Sequence, residues 1–317
     1  MKYLVTWWAW FIGSHIVDRL LNEWNEVVVY DNFCTWQELF IKHHFDDSKF
    51  SLVRWDILDL NKLIDTSKWC DFVFHLAANA DVKWWIKNTD IDFQQNIVWT
   101  KNVLEAIRIN WIKKIAFSSS ATVYWEPDTF PTPENCQLIQ TSLYWASKLA
   151  WEALIQAYCE YYWIQSRIFR FVSWIWERYS HWVIFDFMKK LYNNPNTLEI
   201  LWDWNQKKSY LYVKDWVDWI FFAINNLNEK VNITNLWHTE YMNVLDLADI
   251  VTNTMWLINV EYHTTWWERW WIWDSPFVQL DISKLQKQGW QPKTAIKDGI
   301  INTVKYIMEN KSLLKRE

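Results

Sequence analysis

Residues 2–31 read KYLVTWWAWFIGSHIVDRLLNEWNEVVVYD, and the reading of this stretch decides the fold. Residues 2–6 form a short run rich in β-formers, and 27–30 form a second, closed by Asp31. Between them Ile12, Ile16, Leu20 and Leu21 recur at helical spacing, so the segment predicts strand, turn, helix, strand. That is the opening βαβ of a dinucleotide-binding α/β fold, in which an acidic residue after the second strand takes the hydroxyl pair of a ribose. Asp31 occupies that place.

The turn between strand and helix departs from this pattern. A pyrophosphate-binding turn needs glycine where the chain bends sharply, where backbone meets phosphate, and where helix packs on strand. The three positions here are Trp7, Trp10 and Gly13. Two indoles would fill the space that the phosphates need. The anomaly runs through the chain, which has 30 Trp and 3 Gly, whereas Gly is ordinarily about 7% of residues. Many Trp sit where turns call for Gly: Trp24 before Asn25, Trp125 after a strand, and Trp202 and Trp204 around Asp203. Doublets at 7–8, 84–85, 266–267 and 270–271 have no place in an ordinary core. Most of these Trp are expected to stand for Gly, as when a source reads UGA as Gly and its gene is translated with a table that reads Trp. Trp290 is expected to be a true Trp. The alternative is an authentic Trp-rich chain, whose turn could not accept a pyrophosphate.

With 317 residues, the chain has length for one large or two closely joined domains. A net charge of −5 and a pI near 5.8 argue against a nucleic-acid or anionic-membrane surface. The apolar start runs into an amphipathic helix carrying His15 and Asp18 without a small-residue cleavage site, so it does not read as a signal peptide. No window reaches the eighteen or so apolar residues of a membrane span. Cys34, Cys70, Cys136 and Cys159 are scattered, with no CxxC pair, which indicates neither a disulfide framework nor a metal site. A cytoplasmic protein is expected.

Outward from the first βαβ, 50–53 reads as a strand ending near Asp56, and 70–76 (CDFVFHL) as a near-continuously apolar strand of a parallel sheet covered on both faces. Ala77, Ala78 and Ala80 follow it, where small side chains let a ligand approach. Residues 96–110 predict a helix, 114–120 (KIAFSSS) a strand ending in three serines, 143–162 a long helix and 167–171 a further strand. Strand and helix alternating at this spacing predict a doubly wound parallel sheet with ligands at the strands' carboxyl ends. Beyond 172 the pattern changes. Helices are predicted at 185–192, 215–226, 244–255 and 296–308, short strands at 198–201 and 210–213, and a strand at 231–236 able to rejoin the sheet; 261–274 reads as loop. The expected organisation is a dinucleotide-binding domain over 1–172, rejoined at about 227–240, and an interleaved, smaller mixed α/β substrate domain over 173–317.

Tyr144 and Lys148 are four apart, on one helix face. An ammonium beside a phenol stabilises the phenolate, which makes the tyrosine usable as a base near neutrality. Ser120, at the end of the preceding strand, could bond the same substrate hydroxyl. A YxxxK pair alone is common on surface helices, and three serines alone can be a strand-end loop. Together, downstream of a βαβ that ends in Asp31, they point to a catalytic pair.

The sequence resembles the extended short-chain dehydrogenase/reductase family, and within it the nucleotide-sugar epimerases of the UDP-glucose 4-epimerase type. The resemblance rests on TWWAWFIGSH at 6–15, YDN at 30–32, DI at 56–57, HLAA at 75–78, SSSATVYW at 118–125 and YWASK at 144–148. It continues in RFVS at 170–173, WDWNQKKSYLYVKD at 202–215 and DISKLQKQGWQP at 281–292. Gly in place of Trp at 7, 8, 10, 125, 145, 202 and 204 restores the family's pattern. The resemblance implies NAD held by the turn Trp7, Trp10, Phe11, Ile12 and Gly13, with Asp31 on the adenosine ribose and favouring NAD over NADP. It further implies that Asn32, Asp56 and Ile57 lie about the adenine, and that Ala77, Ala78, Asn96 and Ser118 line the groove. Tyr144 would be the acid–base, Lys148 would hold the nicotinamide ribose, and Ser120 would position the sugar hydroxyl. The 4,6-dehydratases of the family carry an Asp-Glu pair after that serine or threonine. Here Ala121 and Thr122 stand there, which argues against dehydration.

On the substrate side, a nucleotide-diphosphate sugar is implied, with Ser173, Arg178, Lys208 and Arg269 as candidate contacts. Lys208 replaces the family's Arg and brings charge without the bidentate fork, and Ser173 replaces an Asn. A homodimer through the helices at 96–110 and 144–162 is likewise implied. The alternatives left open are a related uronate epimerase, decarboxylase or reductase, or a non-catalytic binding protein if the Trp residues are authentic.

Overall fold

Among the described residues, seven strands lie parallel in one sheet. The protein was studied as a computed structural model, which describes residues 1–6, 11–33, 40–77, 86–171, 174–175, 178, 182–201, 207–264 and 278–315. In chain order come β1 (Lys2–Thr6), α1 (Phe11–Asn22), β2 (Glu26–Asp31), β3 (Phe50–Arg54), α2 (Leu60–Thr66) and β4 (Phe72–His75). The single turn α3 (Asp90–Asp92), α4 (Trp99–Ile109), β5 (Lys114–Ser118), α5 (Leu143–Tyr162) and β6 (Gln165–Phe171) follow. Next are β7 (Trp174–Ile175), α6 (Trp182–Asn193), β8 (Thr197–Ile200), β9 (Lys207–Lys208), β10 (Leu211–Tyr212), α7 (Val213–Asn226) and β11 (Val231–Leu236). β12 (Met242–Asn243), α8 (Val244–Thr254), β13 (Glu261–Thr264), α9 (Ser283–Gln286) and α10 (Ile296–Glu309) complete the chain.

The strand order reverses on either side of β1: β2 and β3 lie to one side, and β4, β5 and β6 to the other. This is the doubly wound parallel α/β fold that the sequence predicts, and its crevice opens where the order reverses, at the carboxyl ends of β1 and β4. β4 is buried at every residue, which is why it reads as an apolar run rather than an alternation. Val5, Val27, Val29, Val73 and Phe74 are fully buried, each such side chain contributing roughly 1.5–3 kcal/mol. β11 pairs in parallel with β6 from Val231↔Ser166 to Leu236↔Phe171, so the chain returns to the sheet there.

By its contacts the chain divides into two units. The first comprises Met1–Phe171, Val217–Leu236 and Asp281–Gly289, and the second Val172–Trp216, Trp237–Leu280 and Trp290–Glu317. The second unit holds three two-stranded pairings, β7 with β10, β8 with β13 and β9 with β12. Gly299 on α10 lies close to Tyr212: a Cβ there would stand 3.2 Å from Tyr212 Cδ2, a tight contact.

Two local features depart from the sequence reading. Glu261–Thr264, expected as loop, is strand β13, paired in parallel with β8. Its outward Glu261 and His263 alternate with the half-buried Tyr262 and Thr264, and the polar outer face hides the strand. The helix expected from 96 begins at Asp90 and passes through a π-helical turn, Phe93–Val98, before α4. Such turns are often found at functional sites.

Candidate active site

α5 carries the pair singled out from the sequence, Tyr144 and Lys148. Its start is fixed by Ser142, whose extended backbone and side-chain oxygen, accepting from the Trp145 N–H at 3.2 Å, cap the first turn. Tyr144 and Lys148 then follow one turn apart on the buried face. Nζ of Lys148 lies 5.2 Å from the centre of the Tyr144 ring and 4.0 Å from that of Trp151. Burial pushes the Lys148 pKa down to about 7, against the pull of the Asp92 carboxylate, which favours the ammonium.

Ser120 follows β5 and caps a 3-10 turn, Ala121–Tyr124, its Oγ accepting the Thr122 N–H at 3.2 Å and the Thr122 hydroxyl at 2.9 Å. Neither Ala121 nor Thr122 offers a carboxylate. Ser118 is the last residue of β5 and is buried.

Below these residues lies a network that the sequence reading missed. Arg170 on β6 and Glu152 on α5 form a buried, bidentate ion pair, at 2.6 Å for Nη2–Oε2 and 3.0 Å for Nε–Oε1. The Ser119 hydroxyl donates to the same carboxylate. Arg170 also donates to the Tyr124 hydroxyl at 2.8 Å and to the Glu134 carbonyl at 2.9 Å, and Tyr124 donates to Asn235 Oδ1 at 2.7 Å. A charge pair with so many partners satisfies its buried groups. Glu152 stands one turn beyond Lys148 on the same helix, so helical spacing from Tyr144 and Lys148 is the signal that could have found it.

The other end of the crevice is built by β2, β3 and α4. Asp31 at the end of β2 is buried, and its Oδ1 accepts the Phe33 N–H at 2.7 Å. Asn32 Nδ2 donates to Asp56 Oδ2 at 3.0 Å, and the Tyr30 hydroxyl donates to the Asp56 carbonyl at 3.0 Å. Tyr30, Asp31, Asn32, Trp55, Ile57 and Trp99 line a cleft. At the end of β4, His75 bridges Thr6 through Nδ1 at 2.8 Å and Thr100 through Nε2 at 2.9 Å. Burial, and then the nearby Lys148 charge, lower its pKa to about 3, so it is neutral.

The remaining residues singled out from sequence divide as follows. Ile12 and Ala77 are buried, and Phe11 and Gly13 lie in the first turn of α1. Asn96 is fully buried in the π-helical turn, with its amide donating to Ser147 Oγ at 2.7 Å and to Asp92 Oδ1 at 3.4 Å. Lys208 is on β9, opposite Met242, and Arg178 is half-buried. Both belong to the second unit. Trp7, Trp10, Ala78, Ser173 and Arg269 lie outside the described residues. Among the described residues, Asp18, His43 and His44 also converge, with both imidazole Nε2 atoms on one carboxylate oxygen at 3.1 and 2.6 Å. No described helix is long and apolar enough to cross a membrane.

A model of the "NAD dependent epimerase/dehydratase family" matches residues 3–236. The chain belongs to that family. Across 97% of its length it is 33% identical to a putative UDP-glucose 4-epimerase of Methanocaldococcus jannaschii, covering 98% of that protein. It is 27% identical to UDP-glucuronic acid decarboxylase 1 of Arabidopsis thaliana over 95% of this chain and 68% of that one. A crystal structure of a UDP-galactose 4-epimerase superposes with a TM-score of 0.84 at 32% identity, covering 98% of this chain and 99% of that one. Members of an NAD-dependent epimerase/dehydratase family use NAD; at the end of β2 a buried carboxylate, Asp31, and the apolar Ile57 border the cleft. Trp55 and Trp99 narrow the same cleft.

Proposed function

We propose that the chain interconverts the C4 epimers of a nucleotide-diphosphate sugar of the UDP-glucose/UDP-galactose type. The observation that carries this reading is the buried Tyr144–Lys148 pair on α5, with Ser120 at the end of β5 and no carboxylate at 121 or 122. NAD, when bound, supplies an acceptor and then a donor of hydride at C4. The phenolic oxygen of Tyr144 takes the proton of the C4 hydroxyl and later returns it. Lys148 in its ammonium form stabilises the phenolate and bonds the nicotinamide ribose. Ser120 gives the sugar hydroxyl a fixed partner, and Ser118 lies along the nicotinamide side of the groove.

Asp31 binds the ribose diol and repels a 2′-phosphate, which favours NAD over NADP. Asn32, Asp56 and Ile57 border the adenine, Ala77, Ala78 and Asn96 line the groove, and the turn from position 7 to Gly13 holds the pyrophosphate. Ser173, Arg178, Lys208 and Arg269 are assigned to the sugar and its diphosphate. Two copies pair through α4 and α5. Cys70, Cys136 and Cys159 are free thiols, which suits a reducing cytoplasm.

The test is to incubate UDP-galactose with protein purified from its natural source. UDP-glucose should form to equilibrium with no net accumulation of NADH. The similarity to UDP-glucuronic acid decarboxylase 1 motivates the second reading. Release of CO2 from UDP-glucuronic acid with no interconversion of the neutral sugars would replace the first reading with it.

A further inference from the structure

Among the described residues, eight that are not glycine have positive φ, and six of them are Trp: 24, 69, 111, 125, 163 and 256, at φ 64, 66, 57, 58, 57 and 57. A bulky side chain in this region is an outlier, because its Cβ crowds the following carbonyl. Three of the six sit at the position that most favours glycine, the residue closing a helix in a Schellman motif. After α1, Asn25 N–H reaches the Leu20 carbonyl at 3.0 Å and Trp24 N–H the Leu21 carbonyl at 2.9 Å. After α4 the same two bonds run from Ile112 to Ile107 at 3.0 Å and from Trp111 to Arg108 at 3.3 Å. After α8 they run from Leu257 to Thr252 at 3.0 Å and from Trp256 to Asn253 at 3.1 Å.

Trp163 closes α5 in the left-handed region, at φ 57 and ψ 41. Trp125, at φ 58 and ψ −115, has the first-corner geometry of a type II′ turn, where glycine is the rule. Gly289 plays this part with its proper residue, at φ 90, its N–H bonded to the Gln286 carbonyl after α9.

The side chains tell the same story. Trp24, Trp69, Trp111, Trp163 and Trp256 are 77–87% exposed, an unusual place for the side chain with most to gain from burial. Trp99 and Trp151 err the other way. Both are buried, and the indole N–H of each lacks a hydrogen-bond partner, although buried tryptophans ordinarily find one. Trp99 and Trp55 are also the two indoles in the cofactor cleft.

We infer that the protein made by its natural source carries glycine at 24, 69, 111, 125, 163 and 256, because its genetic code reads as Gly a codon written here as Trp. The same decoding at Trp99, whose buried indole N–H lacks a partner, opens the cleft beside Asp31. The first half stands on backbone geometry alone. The second half rests on the NAD reading of the cleft.

The experiment is peptide mass analysis of protein from the natural source, followed by variants of the full chain. Gly masses are expected at 24, 111, 163 and 256, with Trp290 retained; Trp masses at those positions overturn the inference and leave a non-catalytic relative with a blocked turn. In recombinant protein, Trp24→Gly, Trp111→Gly and Trp256→Gly should each raise Tm by about 2 °C through relief of backbone strain; unchanged or lower values at all three contradict the geometric argument. The variant Trp99→Gly should bind NAD about 10-fold more tightly than the chain as written, about 1.4 kcal/mol; unchanged binding contradicts the reading of the cleft. Gly masses together with no NAD binding by the natural protein would uphold the decoding and sink the cofactor reading.

Discussion

The two ends of the crevice behave differently. At the α5 end, the proposed chemistry rests on side chains that are present: a phenol, a lysine amine, a hydroxyl and a buried ion pair beneath them. At the β2–β3 end, the proposed cofactor site rests largely on side chains that are missing, since a dinucleotide can lie along the backbone only where glycine leaves room. The first end keeps its polar groups in the sequence as written, although Trp125 and Trp151 stand beside them. The second is crowded by Trp55 and Trp99, and its turn carries Trp7 and Trp10. A site made of groups keeps its identity when glycine is misread, while a site made of space loses it.

The contrast breaks most directly at Tyr144. Tyr144→Phe in the source-encoded protein should lower turnover about 10³-fold and leave NAD bound; activity within a few-fold of the parent would remove the tyrosine from the chemistry. Glu152→Gln comes next. It leaves the buried Arg170 guanidinium without its carboxylate, which should cost roughly 3–5 kcal/mol of stability, read by denaturant unfolding. A loss below ~1 kcal/mol would mean that Arg170 finds other partners.

Smaller effects sharpen the comparison through pH. The native Lys148 pKa is lowered to about 7 from near 10.4 in the unfolded chain. Between those values the unfolded state holds a proton that the native state has released. Stability should therefore rise as pH increases from about 7 towards 10, and Lys148→Met should remove that rise; equal slopes in both proteins would place the lysine in water. His75 acts at the acid side. Its native pKa near 3 lies below the unfolded value of about 6.5. It contributes nothing to the pH dependence above that value, and it should cost stability progressively as pH falls from about 6.5 towards 3. His75→Gln should flatten the curve there, measured as Tm against pH.

Much of this architecture is legible in the amino-acid sequence. The sheet shows in the apolar runs that form β1, β2 and β4; the places of Asp31 at the end of β2 and of Tyr144 and Lys148 four apart on one helix show in the sequence as well. Glu152, Arg170, Ser119 and Asn235 do not show, because their bonds join residues 18 to 111 positions apart and no local period marks them. β13 is hidden by its polar outer face, Glu261 and His263. The Trp residues show as an excess in composition and, at Trp24 and Trp125, by their turn positions; the backbone angles add Trp69, Trp111, Trp163 and Trp256, while Trp290 is buried.

The most direct measurement is a hydride-tracing assay on the natural protein with UDP-galactose deuterated at C4. Label retained at C4 of the UDP-glucose formed, with no dependence on added NADH, is the predicted result. Absence of UDP-glucose, or loss of the label to solvent, would contradict transient oxidation at C4 and the role given to the Tyr144–Lys148 pair.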